Sequence, residues 1–170
     1  MVEKPATIRS AVLKAGLLAV LALMMPALLA AAENKACKLL TPGELEPVVG
    51  KLSAFAPQSL GTTDMCSATS TNAKVVLRWA QKRAALAGEV GKDLEISKTM
   101  GATVDVKTFG PIICFTVIPP KGKEVAGFNT TCRFSKGDAV AGVEVTTKTH
   151  RDMVSITKLH PLAEKMAGRF

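Results

Sequence analysis

At 170 residues, with 48% hydrophobic and 21% charged residues, the chain holds enough apolar side chains to bury a core, which excludes a disordered polymer. A formal net charge of +8, scattered along the chain, makes a mildly basic surface that keeps a protein soluble and attracts lipid headgroups, envelope polymers or acidic proteins. One Trp and no Tyr leave almost nothing on which bases could stack, so nucleic acid is not an expected partner.

Lys4, Arg9 and Lys14 precede an apolar run from Ala15 to Ala32, and Ala30-Ala31-Ala32 before Glu33 fits the small-residue pattern of signal-peptidase cleavage. Residues 1–32 therefore read as a signal peptide. Residues 33–170 read as a single exported domain, periplasmic or extracellular, with no stable membrane insertion after cleavage. The competing reading is a retained anchor, because the run is about long enough to begin spanning a bilayer; Pro26 and the Ala-rich end favour cleavage. Asn34-Lys35-Ala36 ahead of Cys37 is not an apolar lipobox, so no lipid anchor is implied. All four cysteines, Cys37, Cys66, Cys114 and Cys132, lie in the exported part, and an even count there reads as disulfides with three pairings open. Metal binding would call for close pairs such as Cys-x-x-Cys, and the chain has none.

Thr41-Pro42-Gly43-Glu44 is a helix start, with Thr41 as N-cap, Pro42 at the first helical position and Glu44 closing a capping box. Leu45, Val48 and Val49 then face inward, Gly50 stops the helix, and Pro47 predicts a kink. Met65 to Thr71 and Ala73 to Ala80 read as strands joined near Thr71-Asn72. In the second, Val75, Leu77 and Trp79 share a face, while Lys74, Val76 and Arg78 share the other. Trp79 in phase with Val75 and Leu77 reads as core. From Gln81 to Met100, Leu86, Val90 and Leu94 recur at spacing four, which predicts an amphipathic helix weakened by Gly88 and Gly91. Thr103 to Phe109 alternates as a strand, and Gly110-Pro111 turns the chain.

The apolar, β-branched run from Ile112 to Ile118 ends at Pro119-Pro120, and Phe128 to Phe134 alternates at period two. An antiparallel pairing that sets Cys114 opposite Cys132 also sets Ile112 against Phe134 and Thr116 against Thr130, all on one face, at a separation a disulfide can span. Gly137-Asp138 then predicts a two-residue primed turn, after which Cys132 faces Val143 and Phe134 faces Ala141, with Thr131 facing Glu144 on the opposite side. If Cys114 pairs with Cys132, Cys37 and Cys66 are left together. Ser155 caps a last helix with Ile156, Leu159, Leu162 and Met166 on one face, unless the helix begins at Pro161. The expected order is α-β-β-α-β-β-β-α: an α+β domain with an antiparallel sheet of about five strands, about three helices and two disulfides.

Cys37-Lys38-Leu39-Leu40-Thr41-Pro42-Gly43-Glu44-Leu45, then Gly50 and Cys66, resembles the opening of small exported bacterial domains and lipoproteins, most of unknown function. The ending from Met153 to Leu159, followed by Pro161-Leu162-Ala163-Glu164-Lys165, resembles theirs too. The resemblance implies a bond from Cys37 to Cys66 and carries over no catalytic residue.

His150-Arg151-Asp152-Met153-Val154-Ser155 is the one stretch that gathers catalytic residue types. A catalytic triad is made by convergence in space, and six consecutive residues at a strand-to-helix junction read instead as helix caps and a solvated loop. His160 beside Pro161 reads as structural, and Asn129-Thr130-Thr131, a glycosylation acceptor pattern, reads as strand. No phosphate loop, haem-attachment motif or EF-hand is present, so no cofactor is expected. What does stand out is a face that should have been polar. Opposite the cysteines, Ile113, Phe115 and Val117 form an apolar stripe facing Arg133, Thr131 and Asn129. Either a helix covers it and the sheet is buried on both faces, or coverage is partial and the stripe floors a cleft for an amphipathic anion, with Arg133, Lys74 and Arg78 as cationic edges. The expected function is a non-enzymatic envelope binding module for a small amphipathic ligand or a protein partner. An accessory subunit of an envelope complex is the alternative, and a hydrolase stands third.

Overall fold

Two antiparallel meanders meet strand to strand at the centre of one sheet, in a computed structural model that describes residues 33–81 and 85–170. The signal-peptide reading of residues 1–32 and part of the expected middle helix, 82–84, lie outside the described residues. In chain order the elements are α1 (Pro42–Val49), β1 (Ala56–Leu60), β2 (Thr63–Thr69), β3 (Ala73–Gln81), α2 (Leu86–Thr99), β4 (Thr103–Phe109), β5 (Ile112–Ile118), β6 (Phe128–Lys136), β7 (Ala139–Thr147) and α3 (Ile156–Arg169). Across the sheet the strands run β1-β2-β3-β7-β6-β5-β4. Among the described residues no helix is long and apolar enough to cross a membrane.

The α+β class stands, but the expected sheet of about five strands and the order α-β-β-α-β-β-β-α do not: the described residues hold seven strands in the order α-β-β-β-α-β-β-β-β-α. One added strand is β1, Ala-Pro-Gln-Ser-Leu, which is exposed along its whole length and so has none of the alternation that marks a half-buried strand. The other lies after α2, where all four segments with strand patterning pair and the order allowed for three. Gln81 also belongs to β3 rather than to the helix, which begins at Leu86. The last helix begins at Ile156 and runs through Pro161.

Both registers around the cysteines are as the alternation required. Cys114 sits opposite Cys132 and Ile112 opposite Phe134, while Cys132 faces Val143 and Thr131 faces Glu144. Disulfides join Cys37 to Cys66 and Cys114 to Cys132. Such bonds belong to an oxidising compartment. Closing loops of 29 and 18 residues, each contributes on the order of 3 kcal/mol in the chain-entropy account.

One face of the sheet carries Cys66, Val75, Leu77, Val143, Val145, Cys132, Phe134 and Cys114, all buried under α3 and the segment from Ala36 through α1. Leu159, Ala163 and Met166 of α3 are fully buried against it. Thr130 is a polar residue in this layer, and its hydroxyl donates to the Val154 carbonyl at 2.6 Å, pinning the segment that leads into α3. The other face receives α2, whose Leu86, Val90 and Leu94 cluster with Phe115.

Glu44 ties the two helices of the first face together. Its carboxylate accepts the Thr41 N–H at 2.9 Å, as a capping box requires, and takes two bonds from the Arg169 guanidinium at 2.7 and 2.6 Å. Lys165 adds an ion pair at 2.9 Å. The Arg169 guanidinium first, then the Thr41 N–H, hold the Glu44 carboxyl well below the usual carboxylate range. A group whose folded pKa is depressed stabilises the fold above its ordinary value, and loses that contribution as pH falls toward the folded value. Glu44→Gln is expected to cost about 1 to 3 kcal/mol at pH 7. The gap between variant and parent should close as pH drops below the ordinary value of 4.5, which denaturant titrations at pH 7 and pH 3 will measure.

Candidate functional site

The second face of the sheet is only partly covered, and the candidate site lies where α2 ends its coverage. Leu86, Val90 and Leu94 repeat at spacing four and point one apolar stripe of α2 at Phe115, with Val104, Ile113, Val117 and Val140 around the contact. Phe115 is 4% exposed. Arg133 lies beside it, its guanidinium 5.6 Å from the Phe115 ring centroid and donating to Asp93 of α2 at 2.8 Å. That pair straps the helix to β6. With Asp93 half exposed it is worth at most about 1 kcal/mol.

Two depressions of about 360 Å³ each border this strap and share Asp93, Thr131, Arg133 and Glu144. The first lies over β3 and β7, with Val76, Arg78, Ala80, Val140 and Gly142 beneath it. Gly142 stands in register between Arg78 and Arg133. A Cβ built there would come within 2.8 Å of the Cys132 carbonyl oxygen and 2.9 Å of Arg133 Cγ, so the missing side chain is what lets the Arg133 stem lie against β7. The second depression has an apolar wall made by Leu94, Met100, Phe115, Val117, Pro119 and Pro120, faced by Asn129, Thr131, Arg133 and Glu144. Asn129 and Thr131 are joined, the Thr131 hydroxyl donating to Asn129 Oδ1 at 2.6 Å. Met100 is 60% exposed.

Of the residues singled out in the sequence, Ile113, Phe115, Val117 and Arg133 are brought together under and beside α2, with Phe115 buried and Ile113 and Val117 half-buried. Arg78 shares the first depression with Arg133. Lys74 is on the same face but lines a separate hollow of about 500 Å³ with Thr146, Lys148 and the turn at Glu124–Ala126. Asp93, Gly142, Glu144 and Met100 were not among the sequence candidates. Glu144 was within reach, since the β6–β7 register set it opposite Thr131 on the stripe's own face. Nothing local marks Asp93 as the partner of a residue 40 positions away.

The contacts of the stretch with catalytic residue types are local and structural. Asp152 accepts the Thr149 hydroxyl at 2.8 Å, the His150 ring tilts against Phe128 with centroids 5.6 Å apart, and Ser155 occupies the N-cap of α3. His160 stacks on Phe109 at 3.9 Å. Trp79 is half-buried against the first core with Lys35 Nζ 3.8 Å above its ring. Among the described residues no group of three His, Cys, Asp or Glu side chains could hold a metal ion.

The class defined by these features is an α+β domain with a seven-stranded antiparallel sheet sealed on one face and half-covered on the other. No protein-family model matches the chain, and neither a curated protein nor a solved structure matches it.

Phe115→Ala is expected to cost about 3 to 5 kcal/mol, because it empties the centre of the contact under α2. Asp93→Ala, which removes only an exposed partner, should cost less than about 1 kcal/mol. Urea titrations of both variants against the parent will compare them.

Proposed function

We propose that this protein is an exported, non-enzymatic binding module of the cell envelope, periplasmic or extracellular, that takes a small amphipathic ligand beside α2. The observation that carries this reading is the second depression: an apolar wall from Leu94 to Pro120 opposite a line of Asn129, Thr131, Arg133 and Glu144. Sites of this kind combine apolar walls with a few polar groups that fix orientation. Arg133 supplies the cationic edge for an anionic headgroup, and the formal net charge of +6 on residues 33–170, which is +8 less the +2 of Lys4, Arg9, Lys14 and Glu3, favours approach of such a ligand. The resemblance of the Cys37–Leu45 opening to small exported bacterial domains and lipoproteins supports the envelope location, as do the two disulfides.

Ser97 lines this depression from α2 without belonging to the buried cluster, so Ser97→Trp fills the space and spares the core. Native mass spectrometry of protein purified from its own envelope should show a bound amphipathic molecule on the parent and none on Ser97→Trp, with melting temperatures alike. A parent that carries no adduct, and that takes up no fluorescent fatty-acid analogue, would sink the proposal.

A further inference from the structure

The sheet ends on two edges of different character. At one, β1 contains Pro57, which has no N–H to offer another strand. At the other, β4 reads Thr103-Val104-Asp105-Val106-Lys107-Thr108-Phe109, seven residues without Pro or Gly, five of them exposed. Among the described residues β4 pairs with β5 alone.

We propose that β4 pairs antiparallel with β4 of a second copy of this chain, about a twofold axis through Val106, to make a continuous fourteen-stranded sheet. The sequence is self-complementary in that register alone. Val106 meets Val106 of the second copy, Val104 meets Thr108, and Asp105 meets Lys107 twice, once on each side of the axis. Opposite charges directly across a strand pair stabilise it, and like charges there oppose it.

The backbone agrees with the side chains. Gly110 and Pro111 make a two-residue turn with Gly110 at φ 56°, so Phe109 and Ile112, which face each other, are the hydrogen-bonded pair that closes the hairpin. Alternation then turns the N–H and C=O groups of Val104, Val106 and Thr108 away from β5, toward the open edge. Those are the residues that exchange hydrogen bonds when the axis passes through Val106. Asp105 and Lys107 fall at the intervening positions, where facing side chains approach most closely. Val106, 43% exposed, loses its contact with water. The contact is isologous and closes on itself, leaving no β4 edge to recruit a third copy. Seven paired residues bury less than the roughly 1,200 Å² of a stable complex, so the dimer dissociates on dilution.

Sedimentation velocity of the oxidised protein over a concentration series will test this, with far-ultraviolet spectra and melting curves confirming that each variant folds. The parent should pass from monomer to dimer as concentration rises. Asp105→Lys and Lys107→Asp should each weaken association by about tenfold or more, since each sets like charges face to face twice. Mixing the two variants should restore association as a one-to-one heterodimer, because every facing pair is then opposite in sign. A parent that stays monomeric at its highest soluble concentration would overturn the proposal. So would single variants that associate as the parent does, or a mixture no tighter than its parts, and either result would give the edge to a different chain or to none.

Discussion

A sheet has two faces, and the three described α-helices cannot cover both of this one. The sealed face takes α1 and α3 together with both disulfides, and Leu159, Ala163 and Met166 are withdrawn from water there. The second face is left with α2 alone. A helix of 14 residues is about 21 Å long and about 10 Å wide, while seven strands at about 4.8 Å spacing spread over roughly 29 Å. Coverage therefore has to end somewhere, and it ends over β6 and β7, where Thr131, Arg133, Gly142 and Glu144 line the depressions. The open ground beside α2 follows from this shortage of helix.

Arg133 stands at the boundary between the covered and the open parts. Its stem lies in the gap left by Gly142, its guanidinium lies near Phe115, and its charge meets Asp93. The same side chain borders both depressions, so under the proposed function a ligand anion drawn to either competes with Asp93 for it. Because the Arg133–Asp93 pair is partly exposed and weak, that competition costs little, and Phe115 keeps α2 seated meanwhile.

The most legible part of the fold was the run from Ile112 to Thr147. There alternation, a primed turn and a cysteine pair each imposed the same register, and a slip by one residue would have turned every apolar side chain to the wrong face. Strand β1 was illegible for the opposite reason: Ala56 to Leu60 buries nothing, and its pairing to β2 depends on backbone bonds that no side-chain pattern announces. Gln81 was misplaced because it opens the polar run Gln81-Lys82-Arg83, which breaks the strand's alternation before α2. At the site, the apolar stripe was visible from the register, and Phe115 sits at its centre. How far α2 covers that stripe was not, since it depends on where residues 86–99 settle on the sheet, which has no signature in composition. The Arg133–Asp93 contact was likewise hidden by its separation along the chain.

Each disulfide joins cysteines that are neighbours in order along the chain, Cys37 with Cys66 and Cys114 with Cys132. Synthesis delivers the N-terminal side first, so Cys66 is the first thiol that Cys37 can meet, and both can be linked before Cys114 exists. The central pairing of β3 with β7 must wait, because Ala73 has to find Thr147 and Gln81 has to find Ala139. Oxidation of the first pair can thereby precede closure of the sheet. A chain wired in this order can reach its correct bonds by succession, without reshuffling when the last strand arrives.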